Sequence, residues 1–275
     1  MLIVIRAFYL VSLLLYTVSA VGYIRAFASR APSPGRNKPA AMSYGVLLHL
    51  LGLVTYSVYL GQAPFLGMFQ GFSFAAFGLA ALFILIFRSV DNDVAVGMVV
   101  MPLVAIFALI GLFTPLEVVH DELLTASPWF ILHASVALLS YGAFAIAFAA
   151  SVLYILLHKE IKSKHLGRFF ERLPSLDELD HLTYFSVTIG FVALTVSIAT
   201  GVVLTLIRLG KLLQMDAKEI ITFINWLIFA LYLHSRYYGR WRGRRAAWLA
   251  IAGFAVIILN FVVVTLLLSK THAYM

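Results

Sequence analysis

The chain has 275 residues, 63% of them hydrophobic and only 12% charged, with a formal net charge of +8. Soluble domains carry about a quarter charged residues, so a water-soluble globule is excluded, and a β-barrel is excluded because apolar stretches near 20 residues replace its alternating segments of about 10. The absence of cysteine removes disulfides, thiolate metal sites and a cysteine nucleophile.

Taken in order, the apolar stretches predict eight membrane spans. The first covers about 5–25. It passes Val21 with no small-residue cleavage site and ends in "GYIRAF", so it reads as a retained span and not a cleaved signal peptide. The second, third and fourth cover about 41–61, 68–87 and 94–114. An outer loop, "PLEVVHDELLTASP", leads to the fifth at about 128–157. The polar stretch "HKEIKSKHLGRFFERLPSLDELDHLTY" follows, and in it Ser175 and Glu178 have capping-box spacing. A helix is therefore predicted to start at Ser175 and run into the sixth span, about 183–207. The seventh and eighth spans cover about 218–237 and 247–269, joined by "RYYGRWRGRR". The expected fold is all-α, a polytopic membrane helix bundle of about eight transmembrane helices. We expect one integral membrane domain over 1–275, with halves 1–127 and 128–275.

Charge sets the expected orientation. One set of loops holds Arg25, Arg30, Arg36, Lys38, Arg88, Lys159, Lys162, Lys164, Arg168, Arg172, Arg236, Arg240, Arg242, Arg244 and Arg245, fifteen of the twenty basic residues. The other set holds Arg6, Arg208, Lys211, Lys218 and Lys270, and its longest inter-helix loop is acidic. The positive-inside rule puts the first set in the cytoplasm and both termini outside. The excess charge thus belongs to topology, and a nucleic-acid partner is not expected. The arginine run can also meet anionic lipid heads.

Phosphate-binding glycine loops, HExxH pairs and nucleophile elbows are missing, and no acidic residue lies deep in a span, which argues against an ion-coupled pump. Histidine remains. His133 and His272 lie at the outer ends of the fifth and eighth spans. His49 lies ~12 Å and His234 ~5 Å from the cytoplasmic ends of the second and seventh, at 1.5 Å per residue. Topology therefore gives an outer and an inner pair. Paired neutral imidazoles from different helices suit axial ligation of haem iron, and 22 Phe and 13 Tyr are available as walls. The competing reading makes each an interhelical hydrogen-bonding or interfacial residue. His181 is a rival for the inner site, while His120, His158 and His165 read as solvated loop residues. Asn225, Asn260 and Trp226 read as helix–helix contacts.

Several stretches together resemble the CcsA/HemX-type cytochrome c assembly family. They are "LHASVALLSYGAFAIAFAASVLYILLHKEIK", "LPSLDELDHLTY", "TIGFVALTVSIATG", "DAKEIITFINWLIFALYLHSR", "GRWRGRRAAWLAIAGF" and the terminal "THAY", in family order over most of residues 131–275. The amino-terminal half resembles the family more loosely, through its span organisation and the histidine in "LLHLL". The resemblance implies haem handling, with His133 and His272 as an outward-facing pair. It implies a second site within the membrane, held by His234 of the "YLH" helix and by His49. Haem-presenting members carry a tryptophan-rich run of the form WGxWWxWD before "KE"; here the stretch is "LGKLLQMDAKE", which keeps Asp216, Lys218 and Glu219 but no tryptophan. A flat aromatic platform is thus absent, and the resemblance shifts toward the HemX-like or YpjD-like branch.

The expectation is a bacterial inner-membrane protein that binds one or two haem b non-covalently, catalyses no reaction, and assists c-type cytochrome biogenesis or haem homeostasis. Its expected partners are membrane lipid and a cytochrome c assembly subunit or an enzyme of haem synthesis. Two alternatives stand beside it: a di-haem electron-transfer subunit, and a haem-free scaffold or regulator.

Overall fold

The computed structural model describes residues 1–29, 40–87, 93–114, 127–164, 167 and 172–260. Eight α-helices occupy the described residues: α1 Leu2–Ser29, α2 Ala40–Leu60, α3 Met68–Phe87, α4 Val94–Phe113, α5 Pro128–Ser163, α6 Leu176–Leu209, α7 Ala217–Tyr237 and α8 Arg244–Ile258. Seven are long and apolar enough to cross a membrane. The eighth, described over 15 residues, begins the stretch expected as the last span. The protein is a polytopic helical membrane bundle. Helices suit this composition because lipid cannot satisfy backbone N–H and C=O groups, which a helix pairs internally. Pro102 sits inside α4 under the same tolerance.

Two helices outrun the bilayer. At 36 and 34 residues, α5 and α6 reach ~50 Å, well beyond the ~30 Å hydrocarbon core. The sequence "HKEIKS" contains no helix breaker, so α5 continues past its apolar stretch until Lys164 turns left-handed at φ 56°. The predicted start of the sixth helix is found at its cap. Ser175 N–H donates to Glu178 Oε2 at 2.7 Å, and Glu178 N–H donates to Ser175 Oγ at 3.2 Å.

The chain divides into two compact units, α1–α4 with Arg172–Pro174 and α5–α8. In the first, α1 buries a stripe of Ile5, Tyr9, Ser12, Tyr16, Ser19 and Tyr23, one residue every three or four as a helical face requires. These tyrosines need room, and glycines opposite provide it. A Cβ on Gly45 would meet the Tyr16 ring at 3.0 Å, and one on Gly97 would meet the Tyr23 ring at 2.5 Å. The Tyr23 hydroxyl donates to Asp93 Oδ2 at 3.1 Å, so the buried carboxylate has a partner. Arg172 lies over the Phe27 ring and donates to the Phe27 carbonyl.

The second unit is locked by two rings between two glycines. Phe144 of α5 and Phe229 of α7 stack at 3.7 Å with planes 7° apart. A Cβ on Gly190 of α6 would come within 2.7 Å of Phe144, and one on Gly253 of α8 within 2.6 Å of Phe229. All four helices therefore meet in one sandwich. In lipid, where no hydrophobic effect draws helices together, such close packing of small residues against large ones is the main attraction available.

Gly190→Val is expected to destabilise the second unit by about 1–3 kcal/mol through overpacking. Gly22→Val, where no atom lies within 4 Å of the new carbon, should change stability by about 0.5 kcal/mol or less. Denaturation midpoints in detergent read both, and equal shifts would refute the sandwich as the lock.

Candidate functional site

Two histidines with contrasting surroundings, one in each unit, are the candidate ligands to compare. His133 lies near the start of α5, where Ser127 caps the helix by accepting from Phe130 N–H at 3.4 Å and Pro128 occupies the first turn. Its Nδ1 is 2.7 Å from the Ser197 carbonyl of α6. A carbonyl only accepts, so Nδ1 carries the proton and Nε2 keeps its lone pair. The Ser197 hydroxyl donates to the His133 carbonyl at 3.1 Å, completing a two-way clasp between α5 and α6. Gly201 underlies the ring, since a Cβ there would sit 2.8 Å from it. The half-buried ring is thus oriented from behind, and among the described residues nothing bonds to Nε2. This is the arrangement in which a backbone acceptor fixes a histidine that ligates through its other nitrogen.

His49, on α2 in the first unit, is closed. Its Nδ1 pairs with the Tyr16 hydroxyl at 3.1 Å and its Nε2 with Ser73 Oγ at 2.6 Å. Tyr9 meets the ring edge-on at 5.1 Å, and Phe77 does so at 6.0 Å. The adjoining cavity, lined by Tyr9, Phe69, Ser73, Ala108 and Gly111 among others, has ≈ 10 Å³ of water-accessible space, room for about one water. As packed, His49 offers no free nitrogen and no space for a macrocycle. Sequence reasoning missed Tyr16 and Ser73, although the spacing of Tyr9, Tyr16 and Tyr23 was a visible signal.

His234 lies exposed on α7 in the second unit, its ring 4.8 Å from Tyr238. The two members of the expected inner pair thus belong to different units. His272 and the loop histidines His120 and His165 lie outside the described residues. His181 is exposed at the start of α6. His158 departs from its expected place in a solvated loop, because α5 continues through it; there it is half-buried and stacked with Tyr154 at 6.1 Å. Trp226 and Asn260 do link elements: Trp226 Nε1 donates to Thr195 Oγ1 at 2.9 Å, and Asn260 Nδ2 to Thr222 Oγ1 at 2.9 Å. Asn225 is buried. Among the described residues no group of three or more His, Cys, Asp or Glu is placed to hold a metal ion.

Residues 210–216 join α6 to α7, where tryptophans are absent. Asp216 caps α7 by accepting from Glu219 N–H at 2.8 Å. The Glu219 carboxylate folds back to accept from Gln214 N–H at 2.9 Å and Met215 N–H at 2.8 Å. Both acidic residues therefore hold the loop's shape. The loop displays three apolar side chains beside Lys211: Leu212, Leu213 and Met215 are 62%, 52% and 66% exposed.

At the other end of the unit, Asp180 of α6 gathers three segments. Arg236 of α7 donates to both its oxygens, at 2.8 and 2.6 Å, and Gly243 N–H, at the start of α8, donates at 3.0 Å. Arg236 also lies 5.2 Å over the Tyr184 ring. Gly243 has φ 68°, ψ −131°, which only glycine adopts without strain.

Comparison with known proteins adds the family. The profile described as "Cytochrome C assembly protein" matches residues 65–272. Protein HemX of Brevibacillus brevis is 27% identical over 264 residues, covering 94% of both chains. The cytochrome c biogenesis protein CcsA of Prochlorococcus marinus strain MIT 9312 is 32% identical over 237 residues, 78% of this chain and 76% of its own. CcsA of Guillardia theta is 29% identical over 255 residues, 82% of this chain and 83% of its own.

Asp180→Ala should leave Arg236 without its carboxylate and the Gly243 amide without an acceptor. With the pair's side chains 11–12% exposed, the expected loss is roughly 1–3 kcal/mol, between exposed and fully buried ion pairs. Asp180→Ala/Arg236→Ala should lose less than the sum of the single variants; strict additivity in a detergent unfolding assay would refute the coupling.

Proposed function

Because this chain belongs to the cytochrome c assembly protein family, we propose that it is a haem-handling membrane protein assisting c-type cytochrome biogenesis or haem homeostasis. It binds haem b non-covalently, one or two per chain, and forms no covalent bond itself. The observation that carries this reading is His133, whose Nδ1–H is committed to the Ser197 carbonyl while Nε2 has no partner among the described residues and can donate its lone pair. The residues present fit an axial ligand at this position. Haem, when bound, would supply an iron centre that accepts neutral imidazole ligands. His133 would provide one and His272 the other.

Each remaining part has a role in binding and orientation. Ser197 and Gly201 set the tautomer and tilt of His133. Leu212, Leu213 and Met215 offer an apolar surface where haem-presenting relatives have aromatic rings, and Asp216 and Glu219 keep it fixed. The full-length match to HemX agrees with the lost tryptophans in favouring that branch. We place the protein in a bacterial cytoplasmic membrane with both termini outside, its two units acting as halves of one domain. An assembly subunit or an enzyme of haem synthesis is the proposed partner.

For the inner pair, His49 and His234, the support is the family resemblance and the intramembrane position. His49 does not fit an axial ligand as packed, and ligation there requires Ser73 to release Nε2. The same closed geometry favours a second reading, in which His49 is structural and the first unit is a haem-free scaffold.

A reduced-minus-oxidised visible spectrum of the detergent-purified protein, quantified as pyridine haemochrome, is expected to show one or two low-spin b haems per chain. His133→Ala and His272→Ala should each remove the same haem. If a second haem is found, His49→Ala and His234→Ala should each remove it, and Ser73→Ala, which releases Nε2, should leave it in place. A protein that stays colourless after expression with excess haem refutes haem binding; spectra unchanged in the His49 and His234 variants refute the inner pair alone.

A further inference from the structure

The turn between α7 and α8 carries charge that the haem reading does not use. Arg240, Arg242, Arg244 and Arg245 fall within six residues, all exposed. The nearby carboxylate, Asp180, is already occupied by Arg236 and the Gly243 amide. Among the described residues no other carboxylate pairs with these four arginines. Arg244 and Arg245 also stand in the first turn of α8, the end of a helix where cations are disfavoured by the aligned peptide dipoles. Among the described residues the corner is therefore left with an uncompensated positive field.

Aromatic side chains are interleaved with that charge. Trp241 lies between Arg240 and Arg242, and the Arg245 guanidinium sits 5.7 Å over its ring. Tyr237, Tyr238 and Trp248 are exposed on the flanking helix ends. Tyrosine and tryptophan gather at the boundary between acyl chains and headgroups, because one part of the ring system is apolar and the other seeks hydrogen bonds. Here they stand at the end of α7 and the start of α8, where that boundary preference applies.

The backbone of the corner is also fixed. Arg236 and Gly243 are both tied to Asp180, and Trp241 N–H donates to the Ser235 carbonyl at 3.0 Å. The arginines are thus presented from a held turn, so less ordering entropy opposes the capture of a ligand.

We propose that the α7–α8 corner, with Arg240, Arg242 and Arg244 around Trp241, is a binding site for the phosphate of an anionic membrane phospholipid. Guanidinium groups recognise phosphate oxygens through paired N–H donors, and the neighbouring aromatics place that phosphate at headgroup depth. A lipid is favoured over free phosphate because the aromatics supply an apolar contact that inorganic phosphate does not use.

Full-length protein in neutral detergent, offered equal phosphatidylglycerol and phosphatidylcholine, tests this by native mass spectrometry of retained lipid. Wild type should retain phosphatidylglycerol in preference. Arg240→Gln/Arg242→Gln/Arg244→Gln should lose that preference by at least about tenfold, given about fivefold per cation at a membrane surface. Arg240→Lys/Arg242→Lys/Arg244→Lys keeps the charge and should retain part of it, which guards against misfolding of the neutral variant. Lys159→Gln/Lys162→Gln removes exposed charge from α5 and should leave the preference intact. Equal retention of the two lipids, no loss in the triple glutamine variant, or an equal loss in the lysine control would overturn the proposal. So would displacement of the lipid by millimolar inorganic phosphate, or binding of an acidic protein at this corner with no lipid preference.

Discussion

One end of the second unit is held by a single carboxylate. Asp180 stands one turn into α6 and accepts from the end of α7 and the start of α8, so one carboxylate ties α6 to a chain reversal that lies 56 to 63 residues further along the sequence. A charged pair at the edge of a membrane protein is affordable only when its hydrogen-bonding capacity is filled, and here it is: both oxygens are used, and the guanidinium packs on Tyr184. The geometry then fixes the reversal between α7 and α8, with Gly243 in a conformation closed to other residues. Deeper in the unit, the Phe144–Phe229 stack between Gly190 and Gly253 sets the spacing of the same helices. One end is held by charge and the middle by shape. At the far end, the mutual bonds of His133 and Ser197 join α5 to α6.

That third fastening separates the two candidate histidines by one question: what the second nitrogen does. His133 spends one nitrogen on a backbone carbonyl, which gains orientation and leaves the other for chemistry. His49 spends both, on a tyrosine and a serine, inside aromatic walls that leave space for about one water. Identical side chains thus have opposite prospects as ligands. The surviving acidic residues of the α6–α7 loop are explained similarly. Asp216 and Glu219 are consumed in capping and loop closure, so they hold the loop's shape.

The helices were legible because lipid imposes a length and forbids unpaired backbone, and the start of α6 because its capping box lies within four residues. The overrun of α5 was less visible: charged helix formers continue a helix as readily as they make a loop, and His158 was misplaced for that reason. The contacts that define the site were the least legible. Arg236 counted as a topology charge because its partner is 56 residues away, and the Ser197 carbonyl that sets the His133 tautomer has no sequence signature at all. The tyrosine stripe of α1 could be seen as a period, but its partners His49 and Asp93 come from other elements.

Arg236 also alters how the basic residues should be read. In a positive-inside count every arginine weighs the same, yet the structure divides those of the α7–α8 corner into two kinds. Arg236 is neutralised locally and contributes to packing. Arg240, Arg242, Arg244 and Arg245 are exposed and meet no carboxylate among the described residues, and only the latter group projects a field. Because Asp180 is filled by Arg236 and the Gly243 amide, it cannot quench the neighbouring arginines. The interaction that shapes the corner is therefore also the reason its positive charge remains available to the membrane.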